Sequence, residues 1–108
     1  MRFAVVAALL SLSTTAHAAK WPKELNGEYC WQGLGCEPLT VNLGRNGEFD
    51  AAGYGGGYHG HWTYDAQTSH LELVFDVGTV YTGARNGTCF EGLKQDYLGS
   101  SGTWWACL

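Results

Sequence analysis

A strict two-residue alternation constrains this chain more than any other feature. Leu39, Val41 and Leu43 are interleaved with Thr40 and Asn42, and Leu71, Leu73, Phe75 and Val77 with Glu72, Val74 and Asp76. Side chains of that period share a face only on an extended backbone, where successive residues point to opposite sides. Glycine occupies 16 of the 108 positions, evenly spread, which works against helices. Eight short segments are expected as strands: residues 28–32, 39–43, 48–52, 61–64, 70–77, 80–84, 89–93 and 103–108. Turn residues separate them at short intervals, the pattern of a barrel or sandwich. The expected fold class is all-β: an antiparallel up-and-down meander, closed or nearly closed into a barrel, since closure removes exposed edges.

The N-terminus imposes a second expectation. Met1-Arg2 is followed by a short apolar run over residues 3–12 and then by Ala16-His17-Ala18. A positive start, an apolar stretch well short of a bilayer span and an A-x-A site together read as a signal peptide over residues 1–18, cleaved near Ala18. A single secreted or periplasmic domain, residues 19–108, would remain, 90 residues long. A domain of that size gains little margin from burial alone. All four cysteines, Cys30, Cys36, Cys89 and Cys107, fall within it, and an even count in a short exported chain reads as two disulfides. A thiolate zinc site fits poorly, because no CxxC pair is present.

Register can be argued at three hairpins. A two-residue Asn46-Gly47 turn would set apolar Leu43 against Asp50; a three-residue Arg45-Asn46-Gly47 loop sets Leu43 against Phe49 and uses Gly47 at the left-handed position. The repeated tripeptide Arg85-Asn86-Gly87 predicts the same turn. Asn86-Gly87-Thr88 also matches a glycosylation acceptor, though a turn explains it as well. In the last hairpin, pairing Cys89 with Cys107 sets Phe90 against Ala106 and Gly92 against Trp104, so small residues face large ones. Cys89–Cys107 is therefore the favoured bridge, and Cys30–Cys36 follows by elimination. The other two connectivities stay open, because spacing alone does not fix pairing.

Gly27-Glu28-Tyr29 at the first strand, Gly60-His61-Trp62, and Gly102-Thr103-Trp104 near the end resemble the small calycin-like barrels of avidin and lipocalin type. The resemblance spans most of the chain after the leader and implies a ligand-binding meander barrel. The polar residues with which avidins hold biotin have no counterpart here, so biotin binding is not implied. Tyr81-Thr82-Gly83, Phe90-Glu91-Gly92 and Gly102-Thr103-Trp104 are also similar to the glycine-aromatic hairpins of MORN repeats, which would imply an open sheet.

The candidate functional residues are mostly aromatic. The chain holds five Trp and six Tyr, more than a core of this size is expected to hide. The segment Gly53-Tyr54-Gly55-Gly56-Gly57-Tyr58-His59-Gly60-His61-Trp62 is expected as a glycine-rich loop. Through Tyr54, Tyr58, His59, His61 and Trp62 it would contact a ligand or partner. His59 and His61, two apart, would project to one side, a spacing that suits a metal, with His70, Asp65 or Glu48 as a third ligand; solvent-facing histidines account for the pattern better, and no metal or cofactor is expected. Trp104-Trp105 puts one indole inside and one outside. Trp105, with Trp31 on the first strand, is a candidate stacking platform.

No hydrolase elbow, HExxH or phosphate-cradling loop is present. Glu48, Asp50 and Glu72 read as solvent-facing positions on strands, not as a glycosidase pair. A net charge of −4 without a basic patch excludes nucleic acid as a natural partner, and no later segment spans a membrane. The expectation is a non-enzymatic binding protein for a small ligand, with a secreted-protein partner, such as a hydrolase to be inhibited, or a glycan as alternatives. A pocket lined by Trp62, Tyr64, Phe75 and Trp104 would favour the first.

Overall fold

The computed structural model describes residues 22–53 and 56–108. The expected leader, with its cleavage point near Ala18, and Tyr54 lie outside the described residues. Eight antiparallel strands follow in chain order: β1 (Lys23–Trp31), β2 (Gly35–Leu43), β3 (Glu48–Gly53), β4 (Gly56–Asp65), β5 (His70–Phe75), β6 (Val80–Asn86), β7 (Cys89–Gln95) and β8 (Ser101–Cys107). Each pairs with the next, and β8 returns to β1, closing the barrel. The all-β meander is thus as the alternation requires, and the open sheet implied by the MORN-like hairpins does not form. Among the described residues no helix is long and apolar enough to cross a membrane.

Alternation decides what lies inside. Leu25, Val41, Leu43, Phe49, Trp62, Leu71, Leu73, Phe90, Trp104 and Ala106 are essentially without exposure. Their outward neighbours Thr63, Glu72, Glu91 and Trp105 are exposed. The small-against-large pairing holds at β7–β8, where Gly92 lies opposite Trp104 and Phe90 opposite Ala106. A Cβ at Gly92 would run into the Thr82 carbonyl, and one at Gly83 would lie 2.7 Å from the Trp104 ring, so the β6 backbone needs glycine at 92 and the indole needs it at 83. Both buried indoles keep their N–H satisfied: Trp62 Nε1 donates to Gly44 O at 2.9 Å and Trp104 Nε1 to Thr82 O at 3.1 Å.

Leu43 does face Phe49, and Gly47 takes φ 88°, as the three-residue loop demands. The second Arg-Asn-Gly differs. Asn86 pairs directly with Cys89, leaving a two-residue turn with Gly87 at φ 68°. A three-residue loop would have shifted Tyr81 and Gly83 out of phase with Phe90 and Gly92; keeping all four inside selects the shorter turn. Strand β4 is also longer than its sequence suggested. Gly56 to Tyr58 pair with β3 through Gly53, Ala52 and Ala51, so most of the expected 53–62 loop is strand, its glycines notwithstanding, because β3 offers a ladder on which to extend.

Both disulfides join directly paired residues. Cys30–Cys36 staples β1 to β2, and Cys89–Cys107 staples β7 to β8. Such bonds belong to oxidising compartments, consistent with an extracellular or periplasmic setting.

Candidate functional site

The inner faces of the strands do not fill the barrel evenly. Turns 44–47, 66–69 and 87–88 close one end over Leu43, Phe49, Trp62 and Phe90. Turns 32–34, 76–79 and 96–100 surround the other end, and there the filling stops short. A cup of about 390 Å³ opens between Tyr29, Trp31, Leu39, Tyr58, Phe75 and Tyr81, with Val77, Asp96 and Tyr97 at its rim. That volume lies within the range of small-molecule sites. Its walls are rings set edge-to-face: Tyr29 against Trp31 at 6.4 Å, Tyr58 against Phe75 at 6.2 Å, with Phe75 tilted on Tyr81 at 4.9 Å.

Lys94 does not itself line the cup; its amine lies behind the cup wall, against the Trp31 ring. In β7 it follows Phe90 and Gly92 on the inward face, opposite Tyr81 of β6 and Gly102 of β8. It is 1% exposed, and its Nζ has no hydrogen-bond partner. The amine sits 2.6 Å from the Trp31 ring centroid and 5.5 Å from those of Tyr29 and Tyr81. Ring faces attract a cation but replace only part of its lost hydration. Burial accordingly pulls Lys94 down to about 8, with the charge of Asp96 opposing the shift. Burial likewise pushes the Tyr81 phenol above its ordinary value, with Tyr29 and Tyr58 adding to the shift.

The sequence candidates separate into three places. Trp31 and Tyr58 meet at the cup. Trp62 is core, as are Tyr64 and Trp104; of the four residues expected to line a pocket, Phe75 alone does so. His59 and His61 lie on the outer face of β4, opposite Asp50 and Glu48. His59 is held between two carboxylates, Nδ1 being 3.0 Å from Asp76 Oδ2 and Nε2 3.4 Å from Glu48 Oε1. The hydrogen bond to Asp76 raises its pKa, with Glu48 adding to the rise against some desolvation. Of the third metal ligands weighed for the pair, Glu48 alone is adjacent; Asp65 and His70 pair with each other at the end of β4. Among the described residues, three metal-ligand atoms come together at Glu28, Cys30 and Cys36, where both sulfurs are locked in a disulfide. Trp105 is exposed on the outer face between Glu28 and Glu91. It is the one described indole there, so no row of indoles forms. Glu48, Asp50 and Glu72 are exposed outside the barrel.

Sequence reasoning missed Lys94 and Tyr81 as site residues. The signal existed for Lys94: carrying the Phe90-Gly92 phase one step past the expected strand end at residue 93 puts it inside.

No protein-family model, curated protein or solved structure matches this chain. Its function must therefore be read from the site.

Proposed function

We propose that this protein is an exported, non-enzymatic barrel that binds a small, partly aromatic molecule in the cup at its open end. The observation that carries the reading is the contrast inside one barrel. Phe49, Trp62, Phe90 and Trp104 are almost wholly buried, while Tyr29, Trp31, Tyr58, Phe75 and Tyr81 surround about 390 Å³ that no side chain fills. Two disulfides hold the walls, so a ligand would meet a preformed site at low ordering cost. The test is a panel of small aromatic compounds followed by amide chemical shifts on the oxidised protein. Shifts clustering at residues 29, 51, 58 and 81, and lost in Tyr58→Ala, are expected. A panel that leaves those amides unmoved overturns the reading.

A second reading rests on the rim. Leu34, Tyr97 and Leu98 are 82%, 66% and 75% exposed, all on turns at the same end. Apolar side chains gathered on loop tips suit a protein partner, such as a secreted hydrolase whose cleft receives them. Leu34→Ser with Leu98→Ser would weaken such a complex and leave small-molecule shifts intact.

A further inference from the structure

We propose that the cup selects a small aromatic carboxylate, whose acid group replaces the Trp31 indole as the partner of the Lys94 ammonium; this deepens the small-molecule reading and rests on it. The Lys94 amine is buried, carries three donors, and is bonded to none of the described residues. Its neighbours on either side leave that deficit in place, for Gly102 has no side chain and Tyr81 presents its ring.

The acids that face this region are also committed or distant. Asp96 spends Oδ1 on the N–H groups of Leu98 and Ser100, at 2.9 and 2.8 Å. Glu37 shares the inward face of β2 opposite Tyr29 and is not bonded to the amine. Glu28 and Glu91 lie on the outer face. The remaining titratable groups around the cup are the phenols of Tyr29, Tyr58, Tyr81 and Tyr97. An enclosed cation without a counter-ion is costly, and a ligand that brings one recovers that cost on binding.

The chemistry of the site narrows the ligand. One positive charge matches a monoanion; a phosphate dianion would carry a second charge into a ring-lined cup with nothing to meet it. The walls offer ring faces and edges, which favour a flat aromatic body over a flexible chain. Trp31 ends β1 at the rim and covers the amine, so it must swing aside for the acid to reach Nζ. Because burial holds Lys94 near 8, the amine is mostly protonated at pH 7 and loses its proton just above, so an acid should bind more weakly as the pH rises through that range.

Naphthoate and its neutral amide test this by calorimetry on the oxidised protein at pH 7 and about pH 9.5. At pH 7 the acid should bind roughly tenfold to a hundredfold more tightly than the amide, the size expected for a charge-assisted contact. At the higher pH most of that advantage should vanish while the amide's affinity holds. Lys94→Met should bring the acid down to the amide's level; should that variant fail to fold, the pH comparison on the unaltered protein decides alone. Equal binding of acid and amide at pH 7 overturns the carboxylate inference and leaves the cup as a ligand site. Binding of neither overturns both.

Discussion

Trp104 and Trp31 both project into the barrel, one in its packed interior and one at its open end, and they meet opposite fates. Trp104 lies against Gly83 and Gly92, donates its N–H to a strand carbonyl and is 2% exposed. Trp31 lies over an amine that has no other polar partner, beside a void. In the interior, Phe49, Phe90 and Trp104 are each matched by a small residue across the ladder, Gly60, Ala106 and Gly92, as close packing favours. At the open end, Tyr29, Tyr58 and Tyr81 ring a space instead of filling it. The same residue class thus fills the barrel in one half and lines an open cup in the other.

The largest test of this division is truncation. Trp104→Ala or Trp62→Ala should cost about 3–5 kcal/mol, the range for emptying a close-packed aromatic site. Trp31→Ala should cost below about 1 kcal/mol, because its ring already borders open space. Urea unfolding of the three variants measures the gap; equal losses would erase the distinction between the two halves.

Next in size come the staples, one in each half. Loop-closure entropy gives about 3 kcal/mol for the bridge of sequence separation 18, Cys89–Cys107, and somewhat over 2 kcal/mol for the bridge of separation 6, Cys30–Cys36. Replacing each pair by alanines and comparing melting temperatures should rank them in that order. The loss of Cys30–Cys36 should also loosen Trp31 and weaken binding in the cup.

Lys94→Met should stabilise the barrel at pH 7 by roughly 1–2 kcal/mol, since it removes a buried cation that lacks a partner. The sign with pH follows from the lowered pKa. Between about 8 and the ordinary lysine value near 10.5, the unfolded chain holds a proton that the folded one has released. Stability of the unaltered protein should therefore rise with pH through that window. Denaturant midpoints at pH 7.5 and about 10 should converge between the unaltered protein and Lys94→Met.

The smallest effect belongs to the outer face. His59 gains affinity for its proton from Asp76 and Glu48, so the stabilisation it brings is present below its unfolded pKa and is lost as pH rises through its raised folded value. The bond ties the turn after β5 to β4 and β3. Asp76→Asn should lower the melting temperature slightly at pH 5.5 and leave it unchanged at pH 8.5. A difference that persists at the higher pH would show that His59 is not the group responsible.

Much of the barrel could be read along the chain because the information is local. Leu39 to Leu43 and His70 to Phe75 announce their faces by period alone. The set of small and large residues on β7 and β8 fixed their register, and with it the bond between Cys89 and Cys107. The shorter turn at Gly87 was missed because a repeated tripeptide outweighed the phase of its flanking strands. The start of β4 at Gly56 was missed because glycine signals a loop wherever the partner strand is unknown. Of the residues lining the cup, Trp31 and Tyr58 were expected as contact residues, but as members of separate surfaces.

What the sequence alone determined, then, is which residues extend and which side each one takes, since both depend on neighbours two positions away. The tertiary structure decided which inward residues share a level of the barrel. Closure of β8 onto β1 brings Tyr29, Trp31, Tyr81 and Lys94 together from three strands spread over more than sixty positions of the chain. Only that convergence sets an uncompensated charge behind the wall of a cup, because burial and the loss of water are properties of the whole enclosure and of no single segment.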